Sequence, residues 1–514
     1  MDILLAFNEL DYNLASSLMS NIIPFALPLT PILPRVVGNL DYTQERRQLE
    51  RINQLLATSD LEAQFIQASL GHRQPPTTAP ADRMTPKQQV RFQEHSRRAL
   101  RCNIARALLQ VDYRGLAVRL ADSPLYQWFC AVGELEVIQV PSKSTLQRYD
   151  AWVPTETLRP IMDQLLRAGR DEAPKLQLLQ PLDLDRLFLD STCLKAKIHF
   201  PVDWVLLRDG TRTVMKAVSL IRQQGLKQRM ESPEKFIRRM NGLCIAMTQA
   251  RRQPASKKQR KRVLRSMKRV VHAVAGHARR YRDLLDREWA RTQWSRKQTE
   301  QVLKRLDGML EQLPAAITQA HERIIGERPV KNADKMLSLY EPDLHVIVRG
   351  KAEAEVEFGN LLLLSESPAG LIADFQLFQD RVPADVSLLP ESVERAEQAL
   401  GQKLKGVGAD RGFDSQANRA CLEGKQIYNG ICPKAPETLK QRLKQKKFVT
   451  AQRRRAQTEG RIGILKNNFL GRPLRAKGFV NRERAVAWAV LAHNLWVMAR
   501  LPQRQVKEKQ RKAA

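Results

Sequence analysis

Three carboxylates occupy settings that mark them out as possible chemistry. Asp190 ends the apolar run Arg186-Leu187-Phe188-Leu189, Asp410 ends Val407-Gly408-Ala409, and Glu459 sits among the cations of Arg453 to Lys466. The first two runs read as buried strands, the second stopping at the turn Arg411-Gly412-Phe413, and the basic segment reads as a helix. Carboxylates gathered within a few ångströms repel one another and push at least one pKa up unless a cation intervenes. Mg²⁺ fits such an all-oxygen site and keeps positions open for water and substrate phosphate. Two such ions about 3.5 to 4 Å apart activate the attacking oxygen and stabilise the leaving oxygen of an in-line phosphoryl transfer. The chemistry in view is cutting and joining a sugar-phosphate backbone. Taken singly, each acid has a plainer reading: an aspartate after a strand as a turn or cap residue, and Glu459 as the i+4 partner of Arg455. Asp203, Asp209, Asp374 and Asp414 are rival carboxylates. The joint pattern favours the three.

The charge of the chain points the same way. Its 514 residues carry 86 Lys and Arg against 54 Asp and Glu, a formal +32. An excess of that size calls for an anionic partner, and double-stranded DNA is the expected one. Against a membrane, the longest apolar stretch, Leu18 to Leu33, contains Pro24, Pro28 and Pro31 and lacks a basic leader. The expected location is a reducing cytoplasm. Six scattered cysteines show neither metal-ligand spacing nor a disulfide framework, and His272 and His277 do not share a helix face, so a zinc site is excluded.

The elements that must position the acids follow from periodicity and breakers. Residues 1–86 read as an N-terminal segment ending in a Pro/Thr/Ala-rich linker from Gly71, and 87–180 as a helical unit. Within it, short helical patterns at 99–109, 113–120 and 125–132 precede Ser142 to Tyr149, which begins with a cap signal and carries Lys143 and Arg148. This reads as a helix-turn-helix whose last helix binds DNA through those two cations, or as a small packing domain. Residues 181–210 hold the first strand. A helical insertion follows, from about Thr211 to Ile325 within a unit bounded at 335, with Pro314 a local breaker. It carries the run Arg251 to Arg269, almost free of acids, in which Lys257, Lys258, Arg260, Lys261 and Arg262 read as a phosphate-tracking arm. Residues 336–500 resume the first unit: a hairpin of Asn360–Ser365 and Leu371–Phe378, a helix from Pro390, strands at 405–410 and 426–433, and helices at 450–466 and 482–500. The tail 501–514 is basic. The order is that of a mixed α/β layer with helices on its faces. Trp488, Leu495 and Trp496 read as core, and Gly460 and Gly463 as sites where DNA or a strand comes close.

These residues resemble the bacterial insertion-sequence transposases with an RNase H-like DDE catalytic domain. In that family's helix signature a Tyr, Arg, Glu and Lys recur at fixed spacing. Arg455, Glu459 and Lys466 fit it, and Gln452 stands at the tyrosine position. The stretch Asp190 to Trp204, with Arg349-Gly350-Lys351 and Val356-Glu357-Phe358-Gly359, looks most like the ISNCY group. The resemblance spans about Leu120 to Arg500. It implies an RNase H-like mixed sheet flanked by helices, with the first aspartate ending the first strand, the second following the fourth, and the glutamate on a later helix. It further implies that Asp190, Asp410 and Glu459 are catalytic and bind two Mg²⁺, with Mn²⁺ able to substitute, and that Arg455 and Lys466 hold the phosphates of the element end. Water would cut the boundary strand and the freed 3′-hydroxyl would attack target DNA, with a homo-oligomer assembled on DNA to join two ends. A metal-dependent nuclease or resolvase, and a non-catalytic DNA-binding remnant, are the alternatives.

Overall fold

Strand β1 (Arg186–Lys195) is buried on both faces, with Leu187, Leu189 and Cys193 inaccessible, as expected of a central strand. The computed structural model describes residues 33, 36–75, 83–133, 138–252, 256–351 and 354–504, with side chains undescribed at 349–351 and 354. On one side β1 pairs in parallel with β5 (Gly406–Ala409), which pairs in parallel with β6 (Tyr428–Asn429). On the other it pairs antiparallel with β3 (Ala354–Glu366). The far edge of β3 is shared: its first half pairs with β2 (His345–Lys351) and its second half with β4 (Ile372–Leu377). An antiparallel hairpin beside a parallel trio, with helices packed around it, is a mixed α/β arrangement consistent with an RNase H-like fold.

β1 does not end at Asp190. Its ladder with β3 continues to the pair Lys195–Gly359, so the acid lies mid-strand. The apolar run stops there because that position faces the site, while the backbone partner persists for five more residues. The β3–β4 hairpin is as expected. The expected strand at 426–433 shrinks to two residues, and β2 was not foreseen.

Helices α1 (Leu40–Thr58) and α2 (Leu61–Arg73) lie in the N-terminal segment, for which sequence reasoning assigned no elements. Leu49, Ile52, Leu55, Leu56 and Phe65 join a core continuous with that of the sheet, and Phe65 packs on Trp488, ring centroids 5.9 Å apart. Then come α3 (Pro86–Leu109), α4 (Tyr113–Asp122), α5 (Pro124–Cys130) and α6 (Lys143–Asp150). Ser142 caps α6 by accepting from the Thr145 amide at 3.2 Å. Residues 131–142 separate it from α5, with a bridge between Gly133 and Ile138. Helix α7 (Thr155–Asp171) leads into β1.

Between β1 and β2 stands a four-helix unit, α8 (Asp203–Gln223), α9 (Pro233–Arg251), α10 (Lys257–Glu288) and α11 (Arg296–Ile324), with its own core around Val214, Val218, Met247, Val271, Val274 and Leu306. It starts eight residues earlier than expected, at Asp203. That buried carboxylate accepts from Arg323 through both oxygens at 2.9 Å and from Gln319 at 2.9 Å, joining the first turn of the unit to its last. Pro314 does not break α11. One missing backbone bond is outweighed by the packing of Leu313 and Ala316 on either side. Past β4 come α12 (Asp385–Leu400), α13 (Gln416–Gly424), α14 (Pro436–Arg442), α15 (Lys446–Leu465) and α16 (Phe479–Met498). Trp488 and Leu495 are core, and Asn494 exchanges two hydrogen bonds with the backbone of Ile372 at the start of β4, 2.8 and 2.9 Å. Among the described residues no helix is long and apolar enough to cross a membrane; all of 18–32 and 505–514 lies outside them.

Candidate active site

Leu189 and Ala409 are partners in the β1–β5 ladder, and Asp190 and Asp410 follow them directly. Asp410 leaves its strand into a 3₁₀ turn and caps it, its Oδ1 accepting from the Gly412 amide at 2.8 Å. Asp190 is 9 % exposed and accepts from the Ser191 amide at 2.8 Å. Burial pushes its carboxyl up to about 6, the charge of Asp410 pushes the same way, Arg455 opposes and Glu459 adds. The two aspartates are therefore brought together, with the Arg455 and Glu459 charges in electrostatic reach.

Arg455 and Glu459 are carried on α15, which crosses the sheet over β1 and β5. Several polar contacts fix this helix. Gln452, at the signature's tyrosine position, donates to the carbonyls of Gly430 at 2.6 Å and Ala409 at 3.3 Å, the latter immediately before Asp410. Arg454 donates to Glu366 at 2.7 Å and to the Ser367 carbonyl at 2.6 Å, and Arg461 reaches Glu366 at 3.3 Å. Gly370, at φ +87°, leaves the room that Arg461 fills, since a Cβ there would stand 2.3 Å from its guanidinium. The helix is thereby oriented with Arg455 inward, 16 % exposed, and Glu459 outward, 61 % exposed; the two are 3.8 Å apart. Among the described residues no strand comes within 4 Å of a Cβ position at Gly460 or Gly463.

The donor chemistry suits a divalent cation. Asp190 and Asp410 follow adjacent register partners, and the buried Asp190 carboxyl has the Arg455 charge as its opposing cation. The ligand set is not closed, however: among the described residues no group of three or more His, Cys, Asp or Glu could hold a metal ion as placed, because Glu459 is turned toward Arg455.

Two acids that sequence reasoning missed frame the site. Asp385, in the first turn of α12, accepts from the Ser191 hydroxyl at 2.8 Å, and its Oδ2 is 2.6 Å from where a Gly412 Cβ would stand. It thus touches both the strand carrying Asp190 and the turn holding Asp410. Glu366, 1 % exposed, anchors α15 from beneath. An acid ending the apolar run of β3 was the available signal for Glu366; Asp385 gave none.

Lys466 does not present its charge to the site's opening. It is 7 % exposed, and Nζ donates to the Cys193 carbonyl at 2.6 Å and to Thr192 Oγ1 at 3.1 Å. The other expected DNA contacts are on the surface. Lys143 and Arg148 are exposed on α6, Arg148 donating to Thr145 at 3.0 Å, while Leu146 and Tyr149 face the core. Lys257, Lys258 and Arg262 are exposed on α10, and Arg260 and Lys261 are half-buried. The run is not free of acids in space: Glu327 receives Lys257 at 3.0 Å and Lys261 at 2.8 Å, and these two ammonium groups, Lys261 first, hold its carboxyl down at about 2. The stretch Arg349 to Lys351 has described backbone only.

Residues 364–495 match the family described as a transposase DDE domain. The match runs from the end of β3 through α16, so it contains Asp410, Arg455, Glu459 and Lys466 and stops short of Asp190. It supports a DDE-type transposase. No curated protein and no solved structure matches the chain.

Proposed function

We propose that this protein is a DNA transposase that cleaves the ends of an insertion sequence and joins them to target DNA by metal-dependent phosphoryl transfer, related most nearly to the ISNCY group. The observation that carries the reading is the pairing of Asp190 and Asp410 at the ends of adjacent register partners, opposite a helix bearing Arg455 and Glu459, within a chain of net charge +32. Asp190, Asp410 and Glu459 would hold two Mg²⁺, which when bound would activate the attacking oxygen and stabilise the leaving one. Closing the set requires Glu459 to exchange its long contact with Arg455 for the metal side.

The chain's own residues supply the rest. Arg455 is freed to meet a phosphate as Glu459 turns, and Asp385 keeps β1 and the Asp410 turn in fixed relation. Lys143 and Arg148, with Lys257, Lys258, Arg260, Lys261 and Arg262 of the helical unit, bind the DNA backbone, and two copies assemble on DNA to present two ends.

The test is strand cleavage and joining on a labelled duplex carrying a cognate end, with Mg²⁺, for wild type, Asp190→Asn, Asp410→Asn and Glu459→Gln. Loss of both steps in each variant with DNA binding spared supports the reading. Cleavage without joining by wild type would make the protein a nuclease instead.

A further inference from the structure

We infer that Lys466 is a positioning residue, which fixes the spacing between the two halves of the acidic site from inside the protein instead of holding DNA; the inference rests on the transposase reading above. Three observations combine. The ammonium is buried, with two of its acceptors on consecutive residues of β1, the Thr192 hydroxyl and the Cys193 carbonyl. Thr192 lies two residues from Asp190 and so shares its face of the strand, while Lys466 lies seven residues, about two turns, beyond Glu459 and so shares its side of the helix. The helix also changes winding at this residue, with a π-helical turn over Lys466–Leu470, a feature that concentrates at functional sites.

The physical consequence is a tether. α15 is fixed at its start by Gln452 on the β5 end and in its middle by Arg454 and Arg461 on Glu366. Lys466 fixes its far end, and does so on the strand that carries Asp190. Without it, α15 can slide or tilt on β1, and the distance between Asp190 and Glu459 loosens. A lysine is suited to this: a compact ammonium can satisfy a hydroxyl and a carbonyl at once, and burying it is costly unless its donors are met.

A phosphate contact and a tether predict different outcomes. The experiment uses full-length protein and compares wild type, Lys466→Met, Thr192→Val and the double variant, with Asp410→Asn as control. Mn²⁺ affinity is titrated by electron paramagnetic resonance, end binding is measured over a range of salt, and cleavage is followed on the same duplex. A tether predicts that Lys466→Met weakens Mn²⁺ binding roughly 10–100-fold, as loss of an outer support of metal ligands does, and slows cleavage by up to about 100-fold. The slope of log affinity against log salt stays unchanged. Thr192→Val, nearly isosteric at a buried position, shifts metal affinity the same way by less, and the double variant is no worse than Lys466→Met alone.

The inference is overturned if Lys466→Met lowers the salt slope by about one with metal affinity intact, the signature of a lost phosphate contact, or if Thr192→Val is silent on both. Should Lys466→Met fail to fold, Thr192→Val decides. If wild type and Asp410→Asn bind Mn²⁺ alike, the transposase reading itself falls, and the tether falls with it for a separate reason.

Discussion

Leu189 and Ala409 stand side by side in the parallel ladder of β1 and β5, and each hands the chain on to an aspartate. Parallel register partners lie side by side, so the acids that follow them, 220 positions apart in sequence, are neighbours, although β1 runs on to Lys195 while β5 stops at Ala409. Burial first, and repulsion from the Asp410 charge second, push the Asp190 carboxyl up.

Relieving that repulsion should stabilise the metal-free protein. Asp410→Asn keeps an oxygen for the Gly412 amide and removes a charge from beside Asp190. We expect a gain on the order of 1 kcal/mol in apo unfolding free energy, with cleavage abolished. Chemical denaturation without and with Mg²⁺ checks both parts: metal should raise the wild-type midpoint and leave that of the variant unchanged.

Asp385 offers a sharper separation of charge from hydrogen bonding. Asp385→Asn retains an acceptor for the Ser191 hydroxyl, and Asp385→Ala does not. If the residue acts by holding β1 against the Asp410 turn, the Asn variant cleaves near wild-type rate, while the Ala variant is slowed by roughly 10-fold or more. Equal loss in both would show that the negative charge itself is needed.

The basic helical unit carries an internal brake that can be released. Glu327 binds Lys257 and Lys261, so Glu327→Gln should free two cations for phosphate. The salt slope of DNA binding should steepen by up to about two, with affinity rising most at low salt. An unchanged slope would place these lysines off the DNA path.

Acid sensitivity should trace in part to His493. Burial first, and Arg461 next, lower its pKa to about 3, well below the ordinary 6.5. The folded state therefore disfavours the proton that the unfolded chain accepts, so this contribution is fully present above pH 6.5 and is lost as pH falls toward 3. His493→Phe, lodged among Phe469 and Trp496, should flatten the denaturation midpoint between pH 6.5 and 4 relative to wild type.

What the sequence disclosed tracks the range of the interactions involved. Apolar runs mark β1, β3, β4 and β5 because burial is written locally in residue type, and the acids that interrupt or end them are conspicuous for the same reason. Asp385 and the Glu327 clamp were not legible, since each depends on which distant element packs alongside: Ser191 lies 194 positions from Asp385, and Lys257 lies 70 from Glu327. Lys466 shows the converse failure. Its place in a spaced pattern suggested an outward, phosphate-binding role, yet a helix that ends against a strand turns the same residue inward. Helices α1 and α2 had readable spacing at Leu49, Ile52, Leu55 and Leu56, ahead of the Pro/Thr/Ala-rich stretch from Gly71.

The pairing of Asp203 with Arg323 bears on how this chain acquires its structure. β1 must find β3 across more than 150 intervening residues, an encounter whose entropic cost grows with the length of the loop to be closed. The α8–α11 unit has a core of its own and a salt bridge where its two ends meet. If it folds first, that long loop contracts to a short one, and the two central strands arrive almost as a local pair. Inserted in the chain between β1 and β2, the helical unit then acts as an internal assembly jig, and loosening Asp203 should slow refolding of the sheet while leaving the finished fold intact.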